Sequence, residues 1–493
     1  MQGHQKRLTH KTTNSQISPY KTLPMKMSKL LACRSFAAIA MALATSCRDD
    51  VKWGTFDDGK WRYSINCSNK VQIESCHQND GPVRIPSKLG GCPVTYIPSE
   101  VFAGCRGITA VKIPDSVTDI AGDAFLSWTY DFIDTATIPG VSLVDGWVIR
   151  CDKSLSGGLH LHGIRGIAEE AFCDCSGLTE VHIPHGVKKI GFKTFLRCSK
   201  LASIQMPSSV THIETMAFAG CSELGKIYIP KRVASIGKNA FAGCHGLTSI
   251  VVDSKNPVYD SRKSCNAIIQ SADNTLIVGC KGTVIPDSVT RIGDSAFSGC
   301  GGLASVTIPG SVKSIGYSAF SDCRGLTSVT ISNGVTRIGD SAFSGCGGLT
   351  LVAIPGSVKS IGNSTFSDCR GLTSVTIPGS VESVAANAFS GCSGLTSVTI
   401  SNGVTHIGHE AFKGCWGLRS VTIPASVTRI DDRAFEGCSR LTSVAIPDSV
   451  TIIGESAFNS CRGLTSVVIP DSVTSIGDGA FNECSSLSVL RGI

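Results

Sequence analysis

Phe297-Ser-Gly-Cys-Gly-Gly-Leu-Ala-Ser-Val-Thr-Ile-Pro-Gly-Ser-Val-Lys-Ser-Ile-Gly-Tyr-Ser-Ala319 is one unit of a pattern that governs most of this 493-residue chain. Phenylalanine returns at 297, 320, 343, 366, 389, 412, 435, 458 and 481, every interval being 23 residues. An earlier register runs through Phe172, Phe195, Phe218 and Phe241, and Phe102 to Phe125 adds one more step. Residues 297–342 and 343–388 are nearly the same sequence, which points to duplication of a two-unit block. A fixed internal period of this length is the mark of a repeat architecture and takes precedence over any count of globular domains from length.

One unit carries its own physics. Leu303, Val306 and Ile308 have the spacing of a short strand, with Val306 and Ile308 inward and Ser305 and Thr307 outward. Pro309 lacks an N–H and has a fixed φ, so it stops that strand. Val312 and Ile315 add a second buried edge, and Gly316 turns the chain. Asp294 or Asp340 is placed to cap a short helical turn through Ala296-Phe297 or Ala342-Phe343, which Gly299 or Gly345 ends. Phe and Cys then close the coil on the convex side. A single coil of this size cannot bury its own core. It must stack on copies, which gives a repeat solenoid with one short parallel strand per coil and short helical turns or irregular structure on the convex side. Some ~16 coils at about 4.8 Å each would extend about 75 Å.

The pattern Leu-x-x-Val-x-Ile-Pro-x-Ser-Val-x-x-Ile-Gly-x-x-Ala-Phe-x-x-Cys resembles the BspA-like leucine-rich repeats of bacterial surface proteins. The resemblance covers roughly residues 81–493. Two interruptions are similar to that family's non-repeat stretches: Gly140 to Ile167, with Asp145-Gly-Trp-Val-Ile149, and Val251 to Thr283, with Asn256-Pro-Val-Tyr-Asp260 and Cys265-Asn-Ala-Ile-Ile269. The resemblance implies a secreted or surface-attached protein, with adhesion to host matrix or cell-surface proteins as the activity. The expected organisation is an N-terminal extension and signal segment at 1–47, a cap at 48–80 holding Trp53, Trp61 and Tyr63, and a solenoid at 81–493 with irregular inserts near 126–171 and 251–283. Trp128 stands where a repeat cysteine is due. The sequence stops at Leu490-Arg-Gly-Ile493, just after a strand and without a recognisable cap, and an open sheet edge invites pairing with another copy.

Charge narrows the function classes. The chain has 45 Lys and Arg against 38 Asp and Glu. Seven of the basic residues lie within 1–47, which has no acidic one, so the remainder is balanced at 38 against 38. No clustered positive field is left to neutralise phosphates, so nucleic acid is not an expected partner. Lys26 and Lys29 precede an apolar run from Ser35 to Ala44 that closes on small residues, the layout of a secretory signal and too short to span a bilayer. Cleavage after Ala44 or Ser46 is one reading. Leu43-Ala-Thr-Ser-Cys47 as a lipoprotein signal, with Cys47 acylated, is the other. Both place the protein outside the cell or on its envelope, in contact with the membrane only through such an anchor.

Fourteen of the 23 cysteines stand three residues after a repeat Phe. Zinc ligands come as close pairs, whereas this spacing places one thiol per coil, so the column reads as small buried hydrophobes. The off-register pairs Cys67/Cys76 and Cys265/Cys280 are the better disulfide candidates, since an exported protein permits oxidation.

Enzymatic motifs are missing: there is no phosphate loop, no dinucleotide fingerprint and no His-Glu-x-x-His. No cysteine or serine is distinguished from its copies by a neighbouring base, so no catalytic residue and no cofactor is expected. Leu159-His-Leu-His162 and Val181-His-Ile183 set His160 beside His182 on the outward face, with His162 and His185 near its edge. That pair is a candidate for a divalent metal, although no carboxylate or cysteine completes a set and solvated strand positions are the plainer reading. The outward strand positions of the later coils repeat Ser and Thr, as at Ser305/Thr307 and Ser397/Thr399. The earlier coils vary there: Lys112, Glu180/His182, Gln205 and Lys226/Tyr228. These six are the expected ligand-binding residues for a protein partner, with drift of older repeats as the bland alternative. A non-enzymatic interaction protein is therefore expected, and an assembly element stacking through its C-terminal edge is the competing role.

Overall fold

The computed structural model describes residues 54–66, 68–125 and 132–491. The signal segment 1–47 with Cys47, and also Cys67 and Trp128, lie outside the described residues. The repeats wind as a β-solenoid of about 17 turns. The 23-residue period becomes register: Ser305, Val306, Thr307 and Ile308 pair in parallel with Ser328, Val329, Thr330 and Ile331 of the next coil. Nine such strands, from Ser305–Ile308 to Val489–Arg491, make one continuous parallel sheet. Val and Ile point inward and Ser and Thr outward, as the alternation requires.

Each coil carries two strands rather than one. After Pro309 the chain turns and forms a second, two-residue strand, Ser314–Ile315, which pairs with Arg291–Ile292 before it and Arg337–Ile338 after it. The apolar Val312 and Ile315 marked this edge as buried but not as hydrogen-bonded, because two residues are too few to show an alternation.

The convex side is turn, not helix. One short 3-10 segment, Arg262–Ser264, is the only helical element among the described residues. The reason recurs in each coil from Phe172 onward. The residue two before the Phe adopts a left-handed φ, +54° at Ser295 and at Ser341, which no helix tolerates. The expected caps do other work: Asp294 Oδ1 accepts the Tyr317 N–H and Asp340 Oδ1 accepts the Asn363 N–H, both from the following coil and both at 2.9 Å. Backbone donors also point along the axis. The Phe297 N–H donates to Ala319 and the Phe320 N–H to Ala342, each at 2.7 Å.

From Cys265 to Ala480 a continuous core lies between the two strand faces and these turns. The Phe rings form its spine, stacked nearly parallel with centroids 5.4 Å apart for Phe343–Phe366 and 5.3 Å for Phe366–Phe389. The cysteine column is buried as expected but is not merely apolar. Cys392 Sγ donates to the Phe366 carbonyl at 3.1 Å, and Cys415, Cys438 and Cys461 repeat the bond one coil on each time. Burial pushes the thiols of Cys392 and Cys438 up to about 12, so they remain protonated donors. Serine and threonine also link coils. Ser380 Oγ donates to the Val358 carbonyl and Ser449 Oγ to Val427, both at 2.6 Å. The core therefore reproduces itself by three inter-coil devices: ring stacking, thiol to carbonyl and hydroxyl to carbonyl.

The Cys265/Cys280 expectation fails, and the Cys67/Cys76 one involves Cys67, which lies outside the described residues. Cys265 and Cys280 are free, and Cys280 Sγ instead donates to the Asn266 carbonyl at 3.3 Å. Cys76 is free as well. The disulfide that forms joins Cys151 to Cys175, which takes Cys175 out of the thiol column and fastens the first insert to the coil that follows it.

Replacing Phe389 by Ala removes two stacking partners at once and should destabilise the array by about 3–5 kcal/mol. Cys392→Val keeps the volume but loses the donor and should cost about 1 kcal/mol. Urea denaturation followed by circular dichroism distinguishes the two, and equal losses would contradict a core carried mainly by the ring stack.

Candidate functional site

The outward face of the early coils is built from four consecutive strands. Ser156–His160, Gly177–His182 and Ser203–Gln205 form one parallel sheet, and Lys226–Ile229 follows, paired with Ser249–Val252. Register sets the side chains in columns. His160 lies opposite His182, and His182 opposite Gln205. One period further on stands Tyr228, which pairs with Val251. In the next column Glu180 faces Ser203, and Lys226 faces Ser249. The structure thus brings Glu180, His182, Gln205, Lys226 and Tyr228 onto one strip.

Within the strip, the rings of His160 and His182 stack with centroids 4.2 Å apart and planes inclined by 19°. Parallel rings direct their nitrogen lone pairs side by side rather than to one point, which is a poor arrangement for chelating a metal. His182 Nε2 is instead 3.0 Å from Glu180 Oε1. His162 turns its Nδ1 to the His160 carbonyl, and His185 is exposed. Among the described residues, no three His, Cys, Asp or Glu side chains are placed to hold a metal ion. Tyr228 is 48 % exposed, and its hydroxyl donates to Asp253 Oδ2 at 2.7 Å. That bond raises the phenol and lowers the Asp253 carboxyl from their ordinary values. Val251 beside it is also largely exposed. Asp253 was not singled out by sequence reasoning, because its contact crosses a break in the period.

Lys112 is elsewhere. It ends the strand Gly107–Lys112 and reaches Asp145 Oδ1 at 2.8 Å. Asp145 Oδ2 takes the Arg165 guanidinium and the Ile113 N–H, both at 2.8 Å, and Arg165 Nη1 holds Asp115 Oδ1. These bonds pin the hairpin of Val141–Val144 and Trp147–Cys151 to the coil before it. Lys112 therefore anchors the first insert while its side chain stays exposed. A cleft of about 300 Å³ lined by Trp147, Arg165 and Lys189 adjoins this junction. Of the three cations that line it, Arg165 and Lys189 are already paired with carboxylates.

Lys189 belongs to a buried ionic cluster on the opposite strand face. Its ammonium contacts Asp119 Oδ2 and lies 3.2 Å from Glu214 Oε1. Asp119 is buried, and its Oδ1 has no hydrogen-bond partner. Glu169 is its neighbour, and desolvation together with the Asp119 charge pushes the Glu169 carboxyl up to about 7. Desolvation and the Asp119 charge are also among the causes that raise Tyr96 to about 12. The cluster spans the coils on both sides of the first insert.

Comparison with known proteins agrees with this architecture. The model of the BspA-type leucine-rich repeat region matches in six copies, over residues 84–141, 160–265, 279–396 and 359–488. The chain belongs to that leucine-rich-repeat family. Among solved structures it is similar to a leucine-rich repeat protein from Bacteroides ovatus, with 27% identity over 88% of this chain and 94% of that one and a TM-score of 0.49. It is also similar to a leucine-rich cell surface protein from Faecalibacterium prausnitzii, with 24% identity over 89% of this chain and 95% of that one and a TM-score of 0.36. The pneumococcal vaccine antigen PcpA shows 20% identity over 78% of this chain and 95% of that one, with a TM-score of 0.48. No curated protein matches the chain. No helix among the described residues is long and apolar enough to cross a membrane.

Glu169 binds its proton more tightly folded than unfolded, so its contribution to stability is complete below the ordinary carboxylate range and is lost as pH rises through about 7. The melting temperature should therefore fall between pH 5 and pH 8, measured by differential scanning calorimetry. Glu169→Gln should flatten that slope, and an unchanged slope would show that another group titrates.

Proposed function

We propose that this protein is a non-enzymatic, secreted or surface-attached binder that engages a protein partner through the outward strand face of its early coils. The observation that carries the reading is the contrast along one repeated strand position. From Ser305 onward the outward positions are mostly Ser and Thr, with Leu351 and Val468 as exposed apolar exceptions. Between His160 and Val251 the same position holds a stacked His pair, an exposed Gln, an exposed Tyr and an exposed Val. Tyrosine concentrates binding energy because it buries a large rigid area and still offers a hydroxyl. Here Asp253 holds that hydroxyl in place, so little ordering remains to be done on binding.

Glu180, His182 and Lys226 supply both signs of charge around Gln205 and Tyr228, which suits a mixed polar protein surface better than a polyanion. Host matrix and cell-surface proteins are the partner class, in keeping with the signal-like N-terminal segment. The balanced charge of the remaining chain supports no nucleic-acid role.

The test is saturable binding to a panel of matrix and cell-surface proteins by surface plasmon resonance. The double variant Lys226→Ala/Tyr228→Ala should weaken a positive interaction by about tenfold or more. Ser397→Ala/Thr399→Ala, the same positions in a later coil, should leave it unchanged. Equal weakening by both pairs, or no binding across the panel, would refute the assignment.

A further inference from the structure

The second insert splits the solenoid open at one place. In each coil from Phe172 to Phe458 except one, three backbone N–H groups donate to the next coil. Met216 donates to Lys238, Phe218 to Ala240 and Gly220 to Ala242, each at 2.8 to 3.1 Å. The coil of Phe241 is the exception. Its Gly243 N–H still reaches Ser298 across the 55-residue gap, at 3.0 Å. The N–H groups of Asn239 and Phe241 have no acceptor among the described residues. By period their acceptors would be the carbonyls of Asp294 and Ala296. The hairpin of Ala267–Gln270 and Thr275–Gly279 stands between instead, and the Gly279 N–H has taken the Ala296 carbonyl at 2.8 Å. The Asp294 carbonyl is left without a donor among the described residues.

The apolar side of the coil records the same wedge. Ile236 is partly exposed, whereas its counterparts Ile190, Ile213, Ile292 and Ile315 are buried to within 1%. The Phe stack is interrupted between Phe241 and Phe297, and Phe297 packs on Gly279, where any side chain would collide with its ring. A cavity of about 350 Å³ fills the gap, lined by Ile236, Asn239, Phe241, Tyr259, Val278 and Asp294 among others. Two unpaired backbone donors two residues apart, an unpaired carbonyl opposite them and an exposed isoleucine floor make a site already shaped for one ligand chemistry.

We propose that this cavity binds a short stretch of partner polypeptide through its backbone. Carbonyls two residues apart take the Asn239 and Phe241 N–H groups, one N–H reaches the Asp294 carbonyl, and a small side chain rests on Ile236. The peptide stands in for the coil segment that the hairpin displaces, as an added strand completes a sheet edge. A single carboxylate is a poorer match, because every other coil offers these donors two separate carbonyl oxygens. The site lies on the turn and short-strand side and does not depend on the outward strip around Tyr228.

The probe is acetyl-Asp-Ser-Ala-amide, the sequence of residues 294–296, at 10 mM with the full chain, read by hydrogen exchange at single-amide resolution. Without peptide, the Asn239 and Phe241 amides should exchange far faster than those of Phe218 and Phe297. With peptide they should slow by about tenfold, as a dissociation constant near ~1 mM gives. Acetamide, which offers one carbonyl, should not protect them. Ala242→Trp should abolish the protection by filling the cavity. Lys413 and Glu436 occupy the equivalent position in other coils, so the substitution is compatible with the fold. Ala242→Leu serves if the Trp variant unfolds, since Leu196 stands at that position too. Slow exchange without peptide, fast exchange that peptide leaves unchanged, or protection that survives both substitutions would each overturn the proposal. None of these outcomes bears on the Lys226/Tyr228 binding test.

Discussion

No coil of this protein satisfies itself. Its turn N–H groups point along the axis, its ring needs a ring above and below, and its thiol needs the carbonyl of the previous Phe. A repeat this short has too little surface to enclose a core, so stability resides in the interfaces between neighbours. This constraint explains the monotony of the later coils. A side chain that serves two neighbours cannot change alone without disturbing both, and register transmits the disturbance along the sheet.

The same constraint makes the interruptions informative. Wherever a hairpin is inserted, the groups that normally meet across coils must find substitutes. At the first insert they do. Arg165 and Lys112 converge on Asp145, Cys151 bonds Cys175, and Lys189 reaches Asp119 across the junction. Around Lys189 the result is a buried ionic knot in which desolvation holds the Asp119 and Glu169 carboxyls above their ordinary range. At the second insert the substitution is incomplete. Tyr259 lends its hydroxyl to the Ile236 N–H, and Gly279 takes one carbonyl, but two donors and one acceptor are left facing a cavity. Unmet backbone bonds are expected where the periodic solution fails, because from Phe172 to Phe458 the turn N–H groups of the other coils are spent on the next coil.

The family and the core were legible in the sequence because a 23-residue period leaves each buried position repeated many times over. Phe, Cys, Val and Ile could be assigned to the interior from one unit and checked against the rest. The strip of Glu180, His182, Gln205, Lys226 and Tyr228 was legible for the same reason: strand alternation places those residues outward and the period aligns them. The pairing of Lys112 with Asp145 was not legible, because Asp145 lies in a non-repeating hairpin. Asp253 and the Asn239–Phe241 donors were invisible, since their surroundings are set by which strand an insert displaces.

By itself, the order of residues determined that the chain coils, how long each coil is, which side chains are buried and which face is varied. All of these follow from local alternation and a period that needs only its own copy as partner. The tertiary structure alone decided that the convex turns are not helical, which cysteine joins Cys151, and where backbone groups go unpaired. Those outcomes depend on contacts between segments with no common period, whose relative placement is fixed only when the whole stack closes around them.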